Sequence, residues 1–304
     1  MSAASLRALL AHSIDYAGLF PPCSLALVPA LKNQAKYVRT PDSWMLSSFV
    51  LPVAQFSAAR ENLSLFDSKN TLRVSALGPR SDRADGFLAA LKTIADAIRS
   101  LSDADVVLIN QLEMPLPENA DLATLAKART ILGGFDLQAF WEAPADAAKR
   151  TIALLAEHNS SGGAHSFGYK LRTGGVTAEA FPSEVQIAMA LVAAAEHAVP
   201  IKFTAGLHHP VRQFRDEVKT KMFGFLNVLG AAVLTAEHSW DEQQAAKMLE
   251  DEDAHSFSFV DDYFGWREWK IDTDKISPRR KLATSFGSCS FDEPREDLRA
   301  LGLH

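Results

Sequence analysis

Cysteine is nearly absent: Cys23 and Cys289 are the two in 304 residues, and they form neither a CxxC pair nor a disulfide framework. That scarcity argues against a disulfide-stapled secreted scaffold and fits a reducing, cytoplasmic setting. Long apolar runs are missing too, since a bilayer span needs roughly 18 to 20 such residues. The longest candidate, Phe223 to Ala236, is broken by Asn227 and Thr235 and reads as a buried helix. The start, MSAASLRALLAHSIDYAGLF, has no convincing signal-peptide h-region or cleavage site. Positive charge is not in excess, the formal net charge being −6. This disfavours nucleic acid or an anionic membrane as the main partner. Internal repeats, low-complexity linkers, GxGxxG, HxH and HExxH are also absent. The expected partner is a small-molecule substrate, with no cofactor and no metal in the leading reading.

What is present suits one large α/β domain. Hydrophobic residues make up 47% and charged residues 22%, enough for a sizeable core. Short β-type runs alternate with longer helical ones. The β-type runs are Ile14–Phe20, Trp44–Leu51, Leu72–Leu77, Asp105–Gln111, Phe135–Trp141, Phe167–Leu171, Pro200–Thr204 and His255–Val260. Helical candidates lie between them, including the long stretch Val211–Leu249, with an eighth over Ser277–Ser285 after the last strand. Runs such as VVLI and LQAFW are apolar on both faces, as strands covered on both sides should be. Eight such alternations predict a (β/α)8 TIM barrel rather than a doubly wound sheet, because the first strand ends in GLFPPC without a glycine-rich turn. The prediction is a single domain over 1–304. Leu6, Leu9 and Leu10 form a short helix plugging its bottom, and a C-terminal extension from about 286 could cover one end, reach toward the mouth or mediate homo-oligomer contacts.

Polar residues collect at the predicted strand ends, where the βα loops of a barrel surround one mouth. Asp15 is on strand one, Gln111 and Glu113 end strand four, and Glu142 ends strand five. Strand six ends GYKLRTGG, giving Lys170, Arg172, Thr173, Gly174 and Gly175. Strand seven ends IKFTAGLHHP, giving Lys202, Thr204, His208 and His209, and strand eight brings Asp261 and Asp262. Side chains alternate along a strand, so Lys170 and Arg172 share one face, as do Lys202 and Thr204. Tyr169, Leu171, Ile201 and Phe203 suit the opposite, helix-facing side.

An ammonium in an apolar strand is costly unless paired or shifted in pKa. The plain structural explanation is an ion pair of one lysine with Glu142 or Glu113. The chemical one is that two ammonium groups repel, driving one toward a neutral, nucleophilic amine able to form a Schiff base. Glu142 or Glu113 would then move the protons, and Arg172 with Thr173, Gly174, Gly175, Thr204, His208, His209, Asp15 and Asp261 would bind substrate.

GYKLRTGG and IKFTAGL together resemble the strand-six and strand-seven motifs of class I aldolases of the deoxyribose-phosphate aldolase type, barrel enzymes that act through a Schiff base. The resemblance implies Lys170 as nucleophile, Lys202 as the auxiliary lysine and Glu142 as the glutamate closing strand five. It covers about a third of the chain. Arg172 falls inside the first motif, Ala205–Gly206 is followed by Leu–His–His in the second, and Gln111 and Glu113 stand where that family has an aspartate. Lyase chemistry on a small anionic or sugar-like carbonyl compound is the leading reading. A second is a metal-dependent hydrolase, isomerase or lyase with His208, His209 and Glu142 as ligands. A third is a barrel that binds a small molecule without catalysis. The thiol of Cys289 reads as buried and inert.

Overall fold

The computed structural model describes residues 2–163 and 165–304. Helix α1 (Ala4–Leu10) leads into β1 (Ile14–Tyr16), followed by α2 (Leu27–Tyr37), β2 (Leu46–Pro52), α3 (Phe56–Arg60) and β3 (Leu72–Leu77). The alternation continues through α4 (Ala84–Ser102), β4 (Val107–Pro115), α5 (Leu122–Leu132), β5 (Gln138–Glu142), α6 (Ala148–Ser160), β6 (Gly168–Arg172), α7 (Glu184–Glu196) and β7 (Ile201–Thr204). These strands lie where the apolar runs fall. Two of their helices start at side-chain caps: Ser183 caps α7 in a reciprocal box with Gln186, and Asp121 caps α5 through Thr124.

Beyond β7 the chain departs from the expected pattern. Val211–Leu249 is not one helical stretch but a hairpin, β8 (Gln213–Arg215) with β9 (Thr220–Met222), then α8 (Phe225–His238) and α9 (Glu242–Glu250). The run His255–Val260 is not the eighth barrel strand. It gives β10 (Phe257–Phe259), the first strand of an antiparallel sheet with β11 (Tyr263–Trp266) and β12 (Trp269–Asp272) outside the barrel. Tight turns favour this local pairing, and Arg267 takes the left-handed conformation one of them needs (φ 53°).

Helix α10 (Thr273–Arg280) precedes the last barrel strand, β13 (Ala283–Ser288), rather than following it. Part of the expected helix Ser277–Ser285 is therefore strand, and residue 286 lies inside the barrel. The polymer after Ser288 forms α11 (Asp292–Ala300), which packs between α2 and the segment after β7. β13 pairs in parallel with β7 and β1, closing an eight-stranded parallel barrel in the order β1–β2–β3–β4–β5–β6–β7–β13. Its outward Phe286 stacks on Phe225 of α8, their centroids 5.1 Å apart.

Leu6, Leu9 and Leu10 of α1 are fully buried beneath the barrel. Arg280 secures that end: it donates to the carbonyls of Leu9, Ala283 and Thr284, tying α1 to the start of β13. Asp261 accepts from the backbone N–H of Ala4 at 2.9 Å, which puts it at the amino end of α1 and not at the mouth. Its expected substrate role fails on that placement, because the strand assigned to it is outside the barrel. Among the described residues no helix is long and apolar enough to cross a membrane.

Candidate active site at the barrel mouth

The inward faces of β4, β5, β6 and β7 carry the charges. Glu142 pairs in register with Lys170, and Lys170 with Lys202, so the three lie side by side around the barrel wall. Glu113, on β4, reaches both lysines. Its Oε2 is 2.7 Å from Lys170 Nζ and its Oε1 is 2.5 Å from Lys202 Nζ. Lys170 also pairs with Glu142 Oε2 at 2.9 Å, and Lys202 with Asp15 Oδ2 at 2.8 Å. The alternate residues face the helices as parity requires: the Tyr169 hydroxyl donates to the carbonyl of Ala143 at 3.0 Å, and Leu171, Ile201 and Phe203 are fully buried.

Both lysines are sealed from bulk water, Lys170 at 3% and Lys202 at 0% exposure. Burying an ammonium costs several kcal/mol unless opposite charge and hydrogen bonds compensate it. Here Asp15, Glu113 and Glu142 face the two cations. Burial pushes the Lys170 ammonium down, but the charges of Glu113 and Glu142 outweigh it and hold the group above its ordinary value. Burial likewise pushes Glu113 up, yet Lys170 and Lys202 win and hold its carboxyl well below the usual carboxylate range. At Lys170 the carboxylates oppose the expected lysine–lysine repulsion, since the charges of Glu113 and Glu142 favour its ammonium.

Lys202 belongs to a deeper layer. It donates to Gln111 Oε1 and, at 3.3 Å, to Ser75 Oγ, while Ser75 Oγ donates to Glu113 Oε1 at 2.5 Å. Phe140 lays its ring 5.7 Å from Lys202 Nζ. Gly168 makes room for that ring, since a β-carbon there would sit 2.6 Å from Phe140. Asp15, fully buried, accepts from the backbone N–H of Ser48 at 3.0 Å and lies beneath Lys202 rather than facing a substrate space.

Above this layer is a cavity of about 250 Å³, into which Glu113, Lys170, Arg172, Gly175, Thr204 and His208 project with Phe20, Pro21 and Pro22. A second cleft of about 450 Å³ adjoins it, lined by Arg80, Glu118, Glu142 and the same Arg172. Arg172 is exposed between the two.

Other residues singled out from the sequence hold neighbouring segments together, His208 while also bordering the cavity. The Thr173 hydroxyl is spent on the carbonyl of Ala205 at 2.5 Å. Gly174 packs on Phe181, and Gly206 (φ 77°) comes so close to Gly174 that a β-carbon would be 3.0 Å away. These contacts fasten the β6 and β7 loops together. His208 Nδ1 meets Glu293 at 3.1 Å, and His209 Nδ1 meets Asp297 at 2.6 Å, so both rings pin α11. Among the described residues no three His, Cys, Asp or Glu side chains are grouped to hold an ion. The donor set His208, His209 and Glu142 does not converge. Ser75 and Phe140 went unnoticed in the sequence; a lone Ser inside RVSAL was the one available signal for the first.

No family model matches the chain, and no curated protein matches it. A solved structure described as an aldolase is similar at 10% identity and a TM-score of 0.43, covering 64% of this chain and 80% of that one. At that similarity it bears on neither the fold nor the reaction. The class is defined by the chain's own topology: a closed parallel (β/α)8 barrel with a buried, carboxylate-paired lysine pair under its mouth.

Proposed function

We propose that the protein is a lyase of the class I aldolase type, with Lys170 as the amine that forms a Schiff base with a small anionic carbonyl compound. The observation that carries this reading is the position of Lys170. It is the one of the two lysines that borders the mouth cavity, and it lies between two carboxylates within 3 Å. Transfer of one proton from Lys170 to Glu142 yields the amine and a neutral acid together. The amine adds to the substrate carbonyl, and Glu142 returns the proton to the carbinolamine oxygen, which leaves as water. The resulting iminium draws the electron pair of the adjacent carbon–carbon bond as that bond breaks, while a carboxylate takes the proton of the β-hydroxyl. Lys202 keeps Glu113 ionised throughout and lowers the cost of leaving Lys170 uncharged. Arg172, exposed where the two clefts meet, is the clamp for the anionic group.

One observation favours a second reading. Because Glu113 and Glu142 hold Lys170 above its ordinary pKa, the ammonium would stay charged and stabilise an enolate oxygen during proton transfer. Carbon-13 NMR of the protein with a panel of small hydroxy-carbonyl acids and phosphates separates the two. Carbon–carbon cleavage that is lost on Lys170→Met and reduced about 10²- to 10⁴-fold in Glu142→Gln supports the aldolase reading. Solvent deuterium exchange without cleavage supports the second.

A further inference from the structure

The two cysteines, 266 positions apart, meet at the mouth with their sulfur atoms 2.9 Å from each other. Cys23 is exposed on the segment between β1 and α2, and Cys289 is buried directly after β13. β1 and β13 are paired neighbours, Tyr16 opposite Ser288, so the thiols sit on the seam where the barrel's first and last strands close. Their own surroundings are part of the cavity above Lys170: Phe20, Pro21, Pro22 and Cys289 all border it. Oxidation would need the sulfurs to approach by less than about 1 Å to reach a bond of roughly 2.05 Å.

We propose that Cys23 and Cys289 form a reversible dithiol–disulfide site that locks the β1–α2 wall of the mouth cavity to the closing strand. The inference is independent of the reaction at Lys170. The oxidant is a hydroperoxide. The exposed Cys23 thiolate attacks its terminal oxygen, the O–O bond breaks, and the sulfenic acid and an alcohol (or water) result. Cys289 sulfur then displaces the sulfenic oxygen, which leaves as water carrying the Cys289 proton. In sum two thiols lose two electrons and two protons, and the hydroperoxide accepts them. The order of events follows from exposure. Burial and the neighbouring Cys23 thiol push Cys289 up to about 12, so it stays a thiol and waits for its partner to react. Closing the bond also removes a large loop's worth of freedom from the unfolded chain.

The test treats the intact protein with one equivalent of hydrogen peroxide, alkylates the remaining thiols and maps peptides by mass spectrometry, with thermal melting in parallel. The proposal expects both thiols to disappear together in a monomer, a crosslinked Cys23–Cys289 peptide reversed by dithiothreitol, and a melting temperature raised by about 5 °C or more. Cys23→Ser should abolish the crosslink and leave Cys289 protected from peroxide. Cys23 carried to sulfinic or sulfonic acid beside an intact Cys289 overturns it. So does a Cys23-linked dimer, or a crosslink that leaves the melting temperature unchanged.

Discussion

Glu113 holds an ammonium on each carboxylate oxygen, and with Asp15 and Glu142 it compensates two lysines inside one barrel. Removing one member of a buried ionic set leaves the others uncompensated, which typically costs about 3–5 kcal/mol. Glu113→Gln should therefore lower stability by that order in urea unfolding, whereas a conservative surface change such as Glu157→Gln should move it by less than about 0.5 kcal/mol. The same residue sets a pH signature. Its carboxyl is depressed on folding, so its contribution is fully present above the ordinary value of 4.5 and is lost as pH falls below that toward the folded value. Lys170 is raised on folding, so its contribution is present below the ordinary value of 10.5 and is lost as pH climbs through the folded one. Stability measured across pH should fall on the acid side below about 4.5, and Glu113→Gln should flatten that limb. An unchanged acid limb in the variant would remove Glu113 from the account.

At the scale of elements, the closing strand is where the reading from sequence and the structure part. The first seven strands were legible because several are near-continuous apolar runs and the others keep an apolar face toward the helices, and parity along β6 and β7 put Lys170, Arg172, Lys202 and Thr204 on the inner wall. β13 was not legible. Its sequence, ATSFGS, has one large apolar residue, and Ser285 and Gly287 alternate with Phe286 on the inner side. The neighbouring FSFV run looked more strand-like but found partners in its own hairpins, and that substitution displaced Asp261 from the mouth. Periodicity reports that a segment is extended, not which sheet it joins. What docks β13 is Arg280, whose guanidinium is pushed down to about 10 by burial even as Asp15 pulls it up. Arg280→Met leaves the carbonyls of Leu9, Ala283 and Thr284 without their donor. It should cost about 2–3 kcal/mol and raise amide exchange along β13 before other strands. Uniform exchange across the barrel would show that Arg280 does not act on that seam.

For the whole molecule, barrel closure converts separate sequence positions into one chemical unit. Asp15, Ser75, Glu113, Glu142, Lys170 and Lys202 come from six different strands and form one connected network of ion pairs and hydrogen bonds, with the cavity above it open toward Arg172 and Arg80. The lysines were visible in the sequence; the degree to which carboxylates balance them was not, because that depends on which strand ends meet across the barrel. The most direct measurement is borohydride reduction of the protein in the presence of small hydroxy-carbonyl acids or phosphates, followed by peptide mass mapping. The account predicts a reduced adduct at Lys170, absent in Lys170→Met and suppressed in Glu142→Gln. Adducts confined to exposed lysines, or spread equally over them and Lys170, would contradict it.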